Sequence, residues 1–201
     1  MRKLTGTFLF VAMTMACHRE TPVAKTAAPP ATPPAVTTAA TTAVAPAAAS
    51  AAAAGSADVG AMMPDYQAQW LDGKPMDIAS RRGKVVFLNL WATWCQPCRY
   101  EIPQLQKMQD HFAAQGFEVI GVSLDEGGVD GVREFVKKQG MTYPIALDPE
   151  GKLANLFQTT MIPTSVLIDR SGRIVWKSSG ALMGEDKDLN EALRKALAQK
   201  S

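Results

Sequence analysis

Histidine and cysteine are scarce in this chain, with 2 and 3 residues among 201. Beyond the first quarter of the sequence only His111, Cys95 and Cys98 remain, whereas a structural zinc site takes a full tetrahedral set of Cys or His ligands. The acidic run Asp125–Asp130 lacks the alternating ligands and the closing Glu of an EF-hand calcium loop, so we interpret it as an ordinary loop. We therefore predict neither a metal ion nor another cofactor.

An excess of positive charge is missing as well. The segment Asp58–Ser201 contains 17 Lys and Arg, because four of the 21 precede it, and 18 Asp and Glu, because one of the 19 does. Its net charge of −1 offers no basic field for the phosphate backbone of a nucleic acid. We predict that nucleic acid is not a partner.

The N-terminus has an apolar run, but one shorter than the ~20 residues of a membrane-spanning helix. Leu4–Ala16 follows two cations, Arg2 and Lys3, and ends in a small residue directly before Cys17. This layout predicts a secretory signal over residues 1–17. A Cys in that position resembles the lipoprotein signal, in which the Cys carries the lipid, although cleavage after Ala16 to leave a free thiol stays open. Export would place the protein where disulfides form and persist.

Residues 18–61 have a different composition from the rest of the chain. Between Thr21 and Ala61 there are 18 Ala, 7 Thr and 6 Pro, and no aromatic residue, Leu or Ile. Such a stretch cannot bury enough apolar surface to fold. We predict a disordered linker over residues 18–61 and a folded domain over residues 62–201.

The predicted domain alternates short apolar strands with helices, as in an α/β fold. A hairpin is predicted at Tyr66–Ile78, and the β-branched run Val85–Leu90 is typical of a strand that is buried on both faces of a sheet. The further predicted elements are a helix from the cysteine pair to Gly116, a strand at Val119–Ser123, a helix ending at Gly140, a short helix at Leu153–Phe157, a hairpin at Ser165–Trp176 and a helix with an apolar stripe from Leu189 to Leu197. This order predicts a parallel βαβ unit.

Cys95 and Cys98 follow the predicted central strand directly, at the start of the first long helix. The unpaired N–H groups and the dipole of a helix N-terminus stabilise a thiolate, so we expect the pKa of Cys95 to lie below the ~8.5 of a free cysteine. Cys98 lies on the same helical face and can attack a mixed disulfide formed by Cys95. Because Cys17 lies beyond the linker, we predict a redox-active disulfide between Cys95 and Cys98, with Cys95 as the nucleophile.

The segment from Gly83 to Pro103, GKVVFLNLWATWCQPCRYEIP, resembles the active-site region of the TlpA/ResA-like group. These are membrane-tethered thioredoxin-fold proteins that face the periplasm or the outer cell surface. The resemblance extends from about Met62 to the C-terminus and includes MIPT at Met161–Thr164. It implies a thioredoxin-like α/β fold with an N-terminal β-hairpin and a central insertion, preceded here by a disordered tether.

The resemblance also implies a role for Glu101, which lies one helical turn after Cys98. In the group, a glutamate at this position tunes the cysteines and shuttles protons, whereas the simpler interpretation is a first-turn glutamate favoured by the helix dipole. Cytoplasmic thioredoxins carry a buried Asp on the central strand, where this chain has Asn89. Since an amide cannot take a proton, Glu101 is the nearest candidate for buried proton transfer.

Three residues are candidates for contact with substrate. Ile162 and Pro163 resemble the cis-proline loop that faces the cysteine pair in this fold, where the backbone pairs with a substrate strand. Trp94 either shields the sulfurs and contributes to a docking surface or only packs. Trp91, on or beside the central strand, is expected in the core.

We therefore predict a thiol-disulfide oxidoreductase that is exported and acts at the periplasmic face of a membrane, anchored through a lipid on Cys17. The resemblance favours a reductase that a membrane electron donor re-reduces, with disulfide-bearing exported proteins such as apocytochrome c as substrates. Disulfide introduction stays open, because the reduction potential shifts with small changes around the cysteine pair.

Two alternatives from other classes are weaker. Peroxiredoxin-like thiol peroxidases place a Thr three residues before the reactive Cys, usually followed by Pro, whereas here Thr93 stands two before Cys95 and no Pro follows. A copper-binding or copper-delivery module could use paired thiolates for soft Cu(I). Such thioredoxin-like modules separate their cysteines by three residues and add a His near the cis-proline loop, and this chain has neither feature.

Overall fold

The computed structural model of the protein describes residues 57–200. Within that range the strands are β1 (Gln67–Trp70), β2 (Pro75–Asp77), β3 (Val85–Trp91), β4 (Phe117–Ser123), β5 (Ile145–Leu147), β6 (Thr164–Ile168) and β7 (Ile174–Ser179). The α-helices are α1 (Gln96–Phe112), α2 (Val129–Gln139), α3 (Lys152–Leu156) and α4 (Lys187–Ala198). One mixed sheet joins the strands in the order β2-β1-β5-β4-β3-β6-β7, which confirms the predicted α/β fold with an N-terminal hairpin.

Strand β3 is the centre of the sheet, and all seven of its residues are buried. It pairs in parallel with β4 and antiparallel with β6. Because α1 connects β3 to β4, the predicted βαβ unit is confirmed. The carboxyl end of β3 leads directly into the cysteine pair, so a strand that is buried along its whole length positions the site.

The sheet has an apolar core on each face, because successive residues of β3 point to opposite sides. Val85 and Phe87 face the core that is covered by α1, α2 and α4, whereas Leu88 faces the core under α3 and residues 57–66. The predicted stripe of α4 is buried against the first of these cores through Leu189, Leu193 and Ala196. Burial on both faces explains why the Val85–Leu90 run carries no polar alternation.

Two elements differ from the prediction. Helix α1 ends at Phe112, and a 3₁₀ turn at Ala113–Gln115 leads to Gly116, which adopts a left-handed φ of 78°. Strand β5 was not predicted, since three residues are too few to show a period. It forms because it pairs in parallel with β4 and antiparallel with β1, and it thereby joins the N-terminal hairpin to the sheet.

Residues 57–61, which precede the predicted domain boundary at residue 62, contact the folded domain. Ala57 is fully buried, the N–H of Gly60 donates to the carbonyl of Ile174 at 2.8 Å, and the N–H of Ile174 donates to the carbonyl of Ala61 at 2.9 Å. Composition alone does not indicate these contacts, because Ala and Gly are also residues of the preceding stretch.

Lys177, on β7, binds the first described residues, Ala57 and Asp58, which we call the entry segment. Its Nζ donates to the carboxylate of Asp58 at 3.1 Å, to the carbonyl of Ala57 at 3.4 Å and to the carbonyl of Phe157 at 2.9 Å. The same ammonium lies 5.7 Å from the centre of the Phe157 ring. One side chain therefore joins the first described residues to β7 and to the end of α3.

The predicted signal over residues 1–17, the lipidation of Cys17 and most of the predicted linker lie outside the described residues. Between residues 57 and 200, no helix is both long enough and apolar enough to cross a membrane.

Candidate active site

The cysteine pair lies where β3 passes into α1. Cys95 is the N-cap residue of the helix, with extended φ and ψ of −78° and 104°, and Pro97 stands in the first turn, where a missing N–H costs nothing. A disulfide joins Cys95 to Cys98, whose Cα atoms are 5.4 Å apart. The N–H of Cys98 also points at the sulfur of Cys95, 3.2 Å away. The Cys95 sulfur thus lies at the N-terminus of the helix, as the sequence predicts.

Both cysteines are buried, although not to the same extent. Cys95 retains 4% of its surface, whereas Cys98 retains none. The small remaining exposure of the pair therefore belongs to Cys95.

Glu101 lies one turn further along α1 and is fully buried. One carboxylate oxygen accepts a hydrogen bond from the Asn89 amide at 2.7 Å, and the other accepts from the backbone N–H of Leu182 at 2.9 Å. Burial raises the pKa of Glu101 above its ordinary value, and the hydrogen bonds from Leu182 and Asn89 oppose that shift. A carboxyl group that lies one helical turn from a redox pair and has a raised pKa is a candidate for proton transfer.

Asn89, on β3, is the buried amide that holds this carboxylate. Its side-chain nitrogen donates to Glu101 and also to the hydroxyl of Ser165 on β6, at 3.0 Å. The nearby phenol of Tyr143 is buried, and its pKa is raised by burial and further by the charge of Glu101. Burial therefore raises the pKa of both acidic groups of this cluster, Glu101 and Tyr143.

The loop before β6 has the predicted conformation at Pro163. The Ile162–Pro163 peptide bond is cis, and the Pro163 carbonyl accepts a hydrogen bond from the N–H of Gly180 at 2.8 Å. Ile162 is half-buried and packs against the apolar core that contains both Cys95 and Cys98. The structure therefore brings this loop and the cysteine pair to the same core.

Tryptophan residues on either side of the site differ in burial. Trp94, directly before Cys95, is 68% exposed, so packing in a core does not account for it. Trp91 is buried, as predicted, and its ring stacks on Phe135 with centroids 5.3 Å apart. Met161, beside Ile162, is a second large apolar side chain that is exposed next to the site.

Sequence reasoning missed three residues next to the cysteines. Asp125, treated there only as part of a loop, accepts hydrogen bonds from Thr93, and the carbonyl of Thr93 accepts from the guanidinium of Arg99. One signal was available, since Asp125 follows β4 and the carboxyl ends of parallel strands lie at one edge of a sheet. The roles of Thr93 and Arg99 have no comparable signal.

Among residues 57–200, no group of three or more His, Cys, Asp and Glu side chains is arranged to hold a metal ion. His111 is exposed near the end of α1, with its ring edge-on to Phe112.

Comparison with known proteins gives consistent results. A family model described as the AhpC/TSA family matches residues 59–177. The thiol-disulfide oxidoreductase ResA of Bacillus thuringiensis subsp. konkukian is 33% identical over 138 residues, which cover 69% of this chain and 78% of that relative.

Solved structures extend the likeness to the fold. A thiol:disulfide interchange protein of the thioredoxin family from Chlorobium tepidum matches with a TM-score of 0.59 and 33% identity, over 70% of this chain and 99% of that one. A candidate DsbE-type interchange protein from the same organism matches with a TM-score of 0.65 and 31% identity, over 70% and 99%. The predicted thioredoxin-like fold is therefore confirmed.

Proposed function

We propose a catalytic cycle from one premise: the chain belongs to the AhpC/TSA family and is a ResA-like thiol-disulfide oxidoreductase. In this cycle Cys95 is the nucleophile and Cys98 the resolving cysteine. The observation that carries the assignment is the position of Cys95 at the N-cap of α1, where it retains 4% of its surface, whereas Cys98 retains none. The helix N-terminus stabilises the Cys95 thiolate. Because Cys98 is buried, it reacts only in the second step, after Cys95 has formed a mixed disulfide.

The electrons and protons balance over two exchanges. The Cys95 thiolate attacks a substrate disulfide, a mixed disulfide forms, and one substrate sulfur leaves as a thiolate that takes up a proton. Deprotonated Cys98 then attacks the Cys95 sulfur, the Cys95–Cys98 disulfide forms, and the second substrate sulfur leaves and is protonated. Two electrons pass from the cysteine pair to the substrate.

Glu101 serves the second exchange as the acceptor of the Cys98 proton. Its position one turn after Cys98, its complete burial and its raised pKa support this role. The amide of Asn89 and the N–H of Leu182 hold the carboxylate in one orientation without being able to take the proton themselves.

Substrate docks on the surface that Trp94, Ile162 and Pro163 line beside Cys95. The exposure of Trp94 and the packing of Ile162 against the core of the cysteines support this assignment. A flat, exposed indole gives apolar contact with little loss of side-chain freedom, which suits substrates of varied sequence.

The physiological direction in this proposal is reduction outside the cytoplasm. The predicted signal at residues 1–17 and a lipid on Cys17 would hold the domain at the periplasmic face of a membrane, where a membrane electron donor re-reduces it. The substrates are disulfides of exported proteins, and apocytochrome c is one candidate. The peroxidase and copper alternatives are not favoured, because the matching curated relatives are named thiol-disulfide oxidoreductases.

Trapping of mixed disulfides tests the assignment of the two cysteines. Reduced Cys98→Ser protein is incubated with an oxidised extracellular extract, and the disulfide-linked adducts at the Cys95 peptide are identified after digestion. We expect stable adducts with Cys98→Ser and none with the matched Cys95→Ser variant. Recovery of equal amounts from both variants would contradict Cys95 as the nucleophile.

The reduction potential tests the direction. The Cys95–Cys98 pair is equilibrated with glutathione or dithiothreitol and quantified by thiol alkylation. We expect a value toward that of thioredoxin, about −270 mV, since this suits a reductase. A value toward that of DsbA, about −120 mV, would reverse the proposed direction while leaving the roles of the cysteines intact.

A further inference from the structure

Thr93, two residues before Cys95, has all of its polar groups held by charged side chains. Its N–H donates to an Asp125 carboxylate oxygen at 3.0 Å, and its hydroxyl donates to the other oxygen at 2.6 Å. Its carbonyl accepts from Nε and Nη2 of Arg99 at 3.1 and 2.5 Å. Hydrogen bonds to charged groups are stronger than those between neutral groups, so half-buried Thr93 is held firmly in place.

Both charged side chains are in turn fixed by other elements. The hydroxyl of Ser123, the last residue of β4, donates to the Asp125 carboxylate at 2.8 Å. Arg99, on α1, lies over the ring of Phe135 on α2, with its guanidinium carbon 5.4 Å from the ring centre. The segment that leads into Cys95 is thereby tied to β4, α1 and α2 at once.

We propose that Asp125 and Arg99 are positioning residues that act through Thr93 to keep Cys95 at the N-terminus of α1 when the disulfide is reduced. In the oxidised protein the bond to Cys98 fixes Cys95 covalently. After reduction that bond is gone. The local restraints are then the Cys98 N–H that points at the Cys95 sulfur, the hydrogen bond from the Cys95 N–H to the Ala92 carbonyl at 3.1 Å, and the contacts of Thr93. The proposal rests on the assignment of Cys95 as the nucleophile.

The restraint therefore matters more in the reduced state than in the oxidised state. Loss of the contacts lets Cys95 move away from the N–H groups that stabilise its thiolate, which makes reduced Cys95 a slower nucleophile. It also raises the free energy of the dithiol relative to the disulfide, so the protein becomes more reducing against glutathione. Contacts that stabilised the oxidised and the reduced protein equally would leave this redox equilibrium unchanged.

A positioning role and a purely electrostatic role of Asp125 predict opposite changes in the rate of Cys95 alkylation when the carboxylate is removed. A carboxylate near Cys95 disfavours the thiolate through Coulomb repulsion, so removing its charge alone would speed alkylation of Cys95. If the carboxylate acts by holding Thr93, its removal slows alkylation instead. Asp125→Ala, which removes both acceptors, should then act more strongly than Asp125→Asn, which keeps one.

The test uses the full chain with four variants and one charge control. Asp125→Ala, Asp125→Asn and Thr93→Val weaken the contacts in steps, and Thr93→Ser restores the hydroxyl. Glu126→Gln is the control, since it removes an exposed charge of the same sign from the next position. Reduced proteins are alkylated at about pH 7, the Cys95 peptide is quantified by mass spectrometry so that Cys17 does not interfere, and the dithiol–disulfide equilibrium with glutathione is measured in parallel.

We expect Asp125→Ala to slow alkylation of Cys95 and to shift the glutathione equilibrium about 5- to 10-fold toward the disulfide, which corresponds to losing the net contribution of roughly one ordinary hydrogen bond. Thr93→Val should act in the same direction, while Thr93→Ser and Glu126→Gln show no slowing. Faster alkylation in Asp125→Ala, or wild-type behaviour of Thr93→Val, would overturn the proposal. Failure of the Cys98→Ser trap would instead refute Cys95 as the nucleophile and leave these two measurements interpretable.

Discussion

Replacing Glu101 by Gln removes the charge of the buried carboxylate with little change in shape. The amide oxygen can still accept the hydrogen bond from the N–H of Leu182. Its NH₂ group then faces the NH₂ of Asn89, and a rotation of the Asn89 amide relieves the conflict by presenting its oxygen instead. Ser165 tolerates that rotation, because a hydroxyl that accepts from Asn89 can also donate to it.

The substitution should make the protein more stable at neutral and alkaline pH. Burial raises the pKa of Glu101, so the native state binds its proton more tightly than the unfolded state, in which the pKa is close to 4.5. Wild-type stability therefore falls as the pH rises from about 4.5 through the raised pKa. The loss cannot exceed about 1.4 kcal/mol per pH unit in that window, which is the limit for one proton. Gln does not titrate and escapes the loss.

Urea denaturation followed by tryptophan fluorescence measures the difference between the variant and the wild type from about pH 4 to about pH 8. The oxidised proteins are used, because Cys95 and Cys98 do not titrate in the disulfide. We expect the free energy of unfolding of Glu101→Gln minus that of the wild type to increase with pH. The exposed Glu134 on α2 provides the control variant Glu134→Gln, for which the difference should be flat. A flat or falling difference for Glu101→Gln would refute the argument.

Three further substitutions test the packing around the site. Gly121→Ala, in β4, should cost about 1–3 kcal/mol in the free energy of unfolding, because its Cβ would lie 2.9 Å from Nε1 of Trp91. Asp148→Ala should cost about 1–2 kcal/mol, since the buried carboxylate accepts the N–H of Leu153 at 2.8 Å at the start of α3. Leu193→Ala should cost about 2–5 kcal/mol by opening a cavity between α4 and the sheet.

Urea denaturation checks these three values against matched variants. Gly127→Ala is the control for the first, since nothing lies within 4 Å of its added Cβ, and Arg194→Ala, exposed on α4, is the control for the last. Equal stability of Gly121→Ala and Gly127→Ala would mean that the space beside Trp91 is larger than the distances indicate. An undiminished stability of Asp148→Ala would show that water replaces the carboxylate as the acceptor for the Leu153 N–H.

Most of the fold follows from local patterns in the sequence. The run Val85–Leu90 predicts a central strand, because a strand that is buried on both faces of a sheet carries few polar residues. The apolar stripe of α4 predicts a helix, because it repeats at the helical period. Strand β5 escapes such reasoning, because its three residues become a strand only through pairing with β1 and β4. Helix α1 also continues through Pro103, whose local preference is to end a helix.

The candidate site also has some features that the sequence predicts and others that it does not. The positions of Cys95 and Glu101 on α1 follow from spacing along one helix, and resemblance indicates the loop at Pro163. The hydrogen bond from Leu182 to Glu101 joins residues 81 apart through a backbone N–H, and a backbone group leaves no trace in the sequence. The contacts of Thr93 are hidden for a related reason, since Asp125 lies 32 residues away and meets it only at the edge of the sheet.

The anchoring of the entry segment by Lys177 has a mechanical consequence. A pulling force applied to the chain before Ala57 reaches the domain through the contacts of the Lys177 ammonium group and through the backbone hydrogen bonds of Gly60 and Ala61 with Ile174. The load is therefore shared between β7 and the Phe157 carbonyl at the end of α3. Neither of these elements carries a cysteine of the redox pair. Tension on the chain can therefore be borne at the domain's entry while Cys95 remains free to exchange with its substrates.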